Sequence, residues 1–167
     1  MSVFSRAARA HAAFCGVAER LTPLLLLAVR VYWGWQFMVT GLGKLRNQEK
    51  VVDFFTSLNI PFPALNAHFV SGLEFFGGIL LILGLFTRPI ALMLTFSLFV
   101  AYWTADHEAM LAIFSDPEKF YSATPYPFLF AVVVLLVFGA GKLSLDAWIA
   151  RRFHPSINLR GEDAVAS

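Results

Sequence analysis

The chain has 167 residues with a mean hydropathy of +0.67, 58% hydrophobic and only 14% charged side chains, and a formal net charge of +2. Soluble domains carry about 25% charged residues, so a single domain with lipid as its main solvent is expected. The small net charge, with no basic run interleaved with aromatics outside the apolar stretches, argues against nucleic acid. The lone cysteine, Cys15, argues against an internal disulfide or a dithiol redox pair.

In chain order, residues 1–21 come first. Their apolar run "AHAAFCGVA" is followed by Glu19 and Arg20 and then by a full-length span, which is not the plan of a removable leader. Phe14 directly before Cys15 fits a lipoprotein cleavage site badly, and Cys15 reads as a small apolar residue. This segment is expected to be a short amphipathic helix on the membrane surface. The first span covers 22–43. After it, "NQEKVVDFFTSLNIPFP" sets Val51, Val52, Phe54, Phe55 and Leu58 beside Glu49, Lys50 and Asp53, a second interfacial pattern that Pro61 and Pro63 stop. The next spans are 64–86, 89–106 (with "HEAMLAIF" as a candidate extension) and 126–147. Each approaches the ~20 apolar residues that a bilayer requires, and backbone in lipid must bond within its own segment, so these are helices. The fold expected is therefore all-α, an integral membrane four-helix bundle with short interfacial helices. Residues 1–21 form the interfacial segment, 22–150 the bundle and 151–167 a polar, loosely ordered tail.

Orientation follows from lysine and arginine at the span ends. Arg6, Arg9, Arg20, Arg88, Lys142, Arg151, Arg152 and Arg160 fall on the side of the termini; Lys44, Arg46, Lys50 and Lys119 fall on the other. The excess places both termini in the cytoplasm, with the acidic loop carrying Asp106, Glu108, Asp116 and Glu118 outside and "TRP" at 87–89 as a tight cytoplasmic turn.

Two helical stripes combine charge with small residues. Arg30, Gly34, Phe37, Gly41 and Lys44 share one face of the first span; Ala67, Ser71, Glu74, Gly78, Leu81, Leu85 and Arg88, with Gly77 beside them, share one face of the second. Small residues mark close helix approach in membranes, so the two faces should meet. An Arg or Asp near a helix centre costs roughly 2.5–3.5 kcal/mol when it faces lipid, so Arg30 and Glu74 both need shelter. An Arg30–Glu74 contact, direct or through one water or ligand, is the expected solution. It reads either as an ion pair fixing helix register or as a polar pocket for a ligand head group or protons. Gln36 and Tyr32 on neighbouring faces add to the pocket reading, as does Lys44.

His107, with Tyr102 and Asp106, is a candidate for proton or ligand contacts at the outer end of span three, and His68 opens span two on the same side. No HxxxH or HxxE spacing accompanies these histidines, so no metal site is expected. Tyr102, Trp103, Tyr121, Tyr126 and Trp148 read as interfacial belts, whereas Trp33 and Trp35 lie mid-span as packing or pocket-wall residues. "GLGKL" and "GAGKLS" follow no strand and are not phosphate loops. Ser144 and Asp146 are expected to cap or tie the cytoplasmic end of span four.

The pattern R-x3-G-x2-F-x3-G-x2-K-L from Arg30 to Leu45, E-x2-G-G-x-L-L-x-L-G-L-F-T-R from Glu74 to Arg88, and "GAGKLSLD" at 139–146 resembles the DoxX family of small bacterial four-helix membrane proteins. The resemblance spans about 25–150, through Arg30, Gly34, Phe37, Gly41, Lys44, Glu74, Gly77, Gly78, Arg88, Ser144 and Asp146. The loop "SDPEKFYSATPYP" departs from the general pattern. The family is named for a membrane subunit associated with thiosulfate:quinone oxidoreductase. The resemblance implies a multi-pass protein of the bacterial inner (cytoplasmic) membrane, a component of a quinone-linked redox or detoxification system. The chain has no intrinsic cofactor motif, so quinone would be its borrowed cofactor. Lipid and a soluble or membrane redox protein would be its partners, with a homo-oligomer left open. Two other readings stand beside this one: a non-catalytic anchor or assembly partner, and a small-solute or proton pathway. The catalytic residues stay unassigned.

Overall fold

The computed structural model describes residues 3–153, with side chains described from 11 to 152. The tail from 154 onward, Arg160 included, and the side chains of Arg6 and Arg9 lie outside the described residues. All regular structure among the described residues is helical. Helix α1 is Val3–Arg46, α2 Gln48–Ser57, α3 Pro63–Leu83, α4 Thr87–Thr104, α5 His107–Leu111, α6 Pro117–Ser122, α7 Pro125–Phe138 and α8 Leu145–Phe153.

Local chemistry sets most of these boundaries. Pro63 opens α3 at a position where its missing N–H costs nothing. Gly84 closes α3 in the left-handed conformation, φ 69°, with Leu85 N–H donating to Leu80 O and Gly84 N–H to Leu81 O. That hydrogen-bond pair is the glycine-dependent helix stop. Pro117 and Pro125 start α6 and α7 in the same way as Pro63. Asp116 caps α6 by accepting the Lys119 N–H.

Two boundaries differ from the expected ones. No helix break falls near residue 21: α1 runs 44 residues without interruption, with Pro23 inside it. Span four ends early: α7 stops at Phe138, because Gly139 adopts φ 76° and Gly141 φ 75°. Residues 139–144 then form a folded-back loop rather than the last turns of a span.

Helices α1, α3, α4 and α7 pack as a ring, with α1 mostly on α3, α4 mostly on α7, and α3–α4 and α1–α7 contacts closing it. Its core is Phe37, Leu81, Ala91, Leu94, Leu98, Val132 and Leu135. The α1–α3 seam is a backbone-to-backbone contact. A Cβ on Gly78 would lie 2.5 Å from Gly34 O and Met38 N, and one on Gly41 would overlap the Phe75 amide. The expected meeting of the two small-residue stripes is what brings the backbones together. The outer surface of the ring carries large exposed apolar side chains, among them Leu25, Trp35, Phe76 and Phe130.

Candidate functional site

Two charged side chains are buried among the described residues, Arg30 at 2% and Glu74 at 7% exposure. They occupy opposite ends of the α1–α3 seam. Antiparallel packing sets Arg30 against Gly84, Gly34 against Gly78 and Gly41 against Glu74 and Phe75. Arg30 and Glu74 are thus about eleven residues apart in register, roughly 16 Å along the helices. The expected Arg30–Glu74 pair does not form. Its register was counted from hydropathy limits near residue 22, where α1 has no end.

Arg30 instead locks the folded-back loop. Its Nη1 donates to Ala140 O at 2.8 Å and its Nη2 to Leu143 O at 2.7 Å, two carbonyls outside any helical ladder. Gly84 makes room for the guanidinium, since a Cβ there would collide with Nη1. Arg88 Nη2 donates to Val137 O in the last turn of α7 at 3.2 Å. Asp146, expected at the end of span four, reaches across to α4. Its two oxygens accept the Phe86 and Thr87 N–H groups at 2.9 and 3.0 Å, and its own N–H donates to Gly84 O at 2.9 Å. These bonds hold Phe86 at φ 50°, a left-handed conformation that costs a side-chain-bearing residue about 1–2 kcal/mol. Ser144 caps α8, not span four: its Oγ accepts the Ala147 N–H at 3.1 Å and donates to Gly141 O at 2.7 Å. This end of the molecule is a lock in which Arg30 serves the fold.

The other end is open. Lys44 Nζ lies 2.6 Å from Glu74 Oε1, so the partner of Glu74 comes from the next charged position of the same α1 stripe. Glu74 Oε2 is buried with no protein partner. The pair forms part of the wall of a cleft of about 1140 Å³. Phe37, Thr40 and Lys44 of α1 and Asn66, Phe69, Val70 and Glu74 of α3 line it, with Phe54 and Phe55 of α2 and Leu58 just after it on one side and Met93, Phe96 and Val100 of α4 on another. Phe128 of α7 also lines it, as do Thr104 and Asp106 beyond the middle of α4. Sequence reasoning marked Lys44 and Glu74 but missed the aromatic lining. The available signal was the amphipathic pattern of α2, which buries none of its residues fully and contributes Phe54 and Phe55 to the cleft.

The remaining candidates scatter. Gln36 and Tyr32 do not join the cleft; they lie 3.4 Å apart on the outer face of α1, with Tyr32 58% exposed. Tyr102 is buried and its O–H donates to Phe120 O at 2.8 Å while its ring stacks on Phe120, so it ties α4 to α6. His107 is exposed and meets the Trp103 ring edge-on. Of the three outer-end candidates only Asp106 lines the cleft. His68 is exposed, with Nδ1 2.7 Å from Ala64 O. Trp33 packs edge-on against Phe128.

Two of the helices, the described part of α1 and α3, are long and apolar enough to cross a membrane. With the apolar outer surface, the locked end and the lysine–glutamate cleft, they define a small all-helical membrane protein. The DoxX family model matches residues 9–107, a stretch that includes Arg30, Lys44 and Glu74, and the chain belongs to the DoxX family. It is 32% identical over 75% of its length to an uncharacterised protein of Haemophilus influenzae, covering 83% of that protein. It is 30% identical over 74% of its length to "Inner membrane protein YphA" of Escherichia coli, covering 89% of it. It is 29% identical over 74% of its length to "Putative oxidoreductase CatD" of Bacillus subtilis, covering 85% of it. No solved structure matches the chain significantly.

Proposed function

We propose that the chain is a multi-pass protein of the bacterial inner membrane that serves a quinone-linked redox or detoxification system, holding a lipophilic redox ligand in the cleft beside Lys44 and Glu74. The cleft carries this reading. Ligand sites are largely apolar, with a few convergent polar groups, and usually occupy about 300–1,000 Å³. The volume of about 1140 Å³ suits a ring with part of a tail. The names of two relatives, "Inner membrane protein YphA" and "Putative oxidoreductase CatD", agree with it. The unpartnered Glu74 Oε2 offers a ligand head group a hydrogen-bond acceptor, and the phenylalanines offer flat apolar walls. A bound quinone would supply electron and proton carriage; the chain's own residues bind it, orient its head and keep water away.

In this reading α1, α3, α4 and α7 are the four spans, with both termini cytoplasmic by the positive-inside count. Helix α7 has 14 residues, roughly 21 Å against a hydrocarbon thickness of about 30 Å. Loop 139–144 makes up the difference. Non-helical backbone at membrane depth is tolerated where protein satisfies it, which is what Arg30 and Arg88 do for Val137, Ala140 and Leu143.

A solute or proton pathway fits less well, because the packed core from Phe37 to Leu135 lies between the two polar ends. The anchor reading has one feature in its favour: Phe114, 94% exposed, follows the exposed Leu111 on the α5–α6 loop. The deciding experiment is purification in mild detergent, organic extraction, absorbance spectroscopy and mass spectrometry. A quinone-class molecule retained by the wild-type protein and lost on Phe96→Trp, which narrows the cleft, is the expected result. A colourless protein that carries only bulk phospholipid would overturn it.

A further inference from the structure

Glu74 has two carboxylate oxygens in different circumstances. Oε1 accepts from the Lys44 ammonium at 2.6 Å, and Oε2 is buried without a protein partner. A carboxylate oxygen beside an ammonium can only accept, and a buried acceptor without a donor is strongly unfavourable. Glu74 is 93% buried and lines the cleft, so a molecule held in the cleft is placed to supply the matching donor. Hydroxyls beside it on the two helices donate within their own helix: Ser71 Oγ, three residues before Glu74, to Ala67 O at 2.6 Å, and Thr40 Oγ1 to Gln36 O at 2.9 Å. Lys44 and Glu74 balance in charge, so the head group that meets them is neutral.

We infer that the cleft selects a neutral lipophilic phenol, the hydroquinone form of its ligand rather than the quinone, by accepting a phenolic hydroxyl proton in a hydrogen bond at Glu74 Oε2. This rests on the proposed ligand-binding role of the cleft and adds the redox state it favours. A quinone presents only carbonyl oxygens. Set against Oε2, such an oxygen faces another acceptor, so the oxidised form is left with the ammonium of Lys44 alone. A hydroquinone uses both groups: a hydroxyl donates to Oε2, and an oxygen accepts from Lys44. The preference is therefore a difference in affinity set by one atom. Phe69, Phe96 and Phe128, which line the same cleft, treat the two redox forms alike.

The test uses the full-length protein in lipid nanodiscs and three probes with the same decyl tail: a benzoquinone, its hydroquinone, and the dimethyl ether of that hydroquinone, which keeps the ring and loses the donors. Binding is read by equilibrium partition against empty nanodiscs. The hydroquinone is expected to bind about tenfold or more tightly than either other probe, a ratio typical of one hydrogen bond to a charged group. Glu74→Gln should bring the three within about threefold of each other by weakening the hydroquinone. Equal binding of all three to the wild type overturns the inference, with a water on Oε2 as the explanation, and leaves the cleft reading standing. Binding of none of them overturns both. A redox preference that survives Glu74→Gln overturns the inference alone. Should Glu74→Gln fail to fold, the three-probe series on the wild type decides by itself.

Discussion

At the scale of single residues, Gly78 sets how closely α1 and α3 approach, and Arg30 holds loop 139–144. A Cβ on Gly78 would lie 2.5 Å from backbone atoms of α1, with no flexible side chain to yield, whereas Gly43 on the same helix as Gly34 has nothing within 4 Å. Gly78→Ala should therefore push α1 and α3 apart and cost about 1–3 kcal/mol, the usual range for overpacking. Gly43→Ala should be neutral or stabilise by up to about 1 kcal/mol through helix propensity. Thermal unfolding in detergent separates the two, and a Gly78→Ala protein as stable as wild type would disprove the backbone-contact seam. Arg30 donates to two carbonyls that have no other partner, so Arg30→Met should cost roughly 3 kcal/mol, with Arg30→Lys recovering only part because an ammonium cannot form the fork. Arg30 and Glu74 lie about 16 Å apart in register. The costs of Arg30→Met and Glu74→Gln should therefore add within about 0.5 kcal/mol. A larger coupling energy would restore the ion pair that the sequence alone suggests. That pair was a reasonable expectation, since two intramembrane charges on facing stripes need partners; its error was one of register. The stripe itself holds the right partner at its next charged position, Lys44.

Among the secondary-structure elements, the start of α4 is held by a residue of another helix rather than by its own neighbours. The Thr87 N–H that opens α4 and the Phe86 N–H just before it both go to Asp146, about sixty residues later. Asp146→Ala removes both acceptors and leaves Phe86 left-handed without support. The expected cost is about 1–2 kcal/mol, similar to a lost cap, and amide exchange should accelerate first at Phe86 and Thr87 and in loop 139–144. Uniform acceleration along the chain would contradict this lock. The other end is tied more weakly. The Lys119 ammonium, 2.8 Å from Glu108, holds the Glu108 carboxyl below its ordinary range, and Glu108 in turn raises Lys119. A lowered carboxyl contributes its stability above its unfolded value and loses it as pH falls through the folded one; a raised ammonium loses its contribution as pH climbs through its own folded value. The α5–α6 tie should therefore hold between roughly pH 4 and 10 and loosen outside that window. Both groups are exposed, so ~1 M salt should loosen it as well. NMR exchange at residues 107–122 reads this, while the melting temperature stays unchanged.

For the whole molecule, what the sequence reveals is what repeats locally, and what it hides depends on distance. The four apolar helices and the small-residue seam are legible because each is written in one segment. The break at 139–144 is half legible: "GAG" after an apolar run is a helix-stop signal, but Leu143 and Leu145 prolong the hydropathy and mask it. The cleft is not legible, because it is the gap that α2 leaves when it packs on α3 and not on α4. No local pattern records such a gap. The length of α1 is likewise hidden. At 44 residues it extends about 66 Å, twice the hydrocarbon thickness of about 30 Å. Since Arg30 sits where α3 ends at Gly84, about fifteen residues, roughly 22 Å of helix, separate the end of the ring from Cys15. In a four-span arrangement with cytoplasmic termini, that thiol stands beyond the hydrocarbon on the cytoplasmic side. Because it is the chain's one cysteine, no engineered label is needed. A membrane-impermeant maleimide should modify Cys15 in inside-out vesicles and leave right-side-out vesicles unlabelled until detergent is added. Labelling from the outer face would reverse the topology and put the cleft on the cytoplasmic side. Labelling only after detergent in both preparations would mean that α1 tilts or bends to keep residues 11–20 in lipid, against the straight continuation of the helix past Pro23.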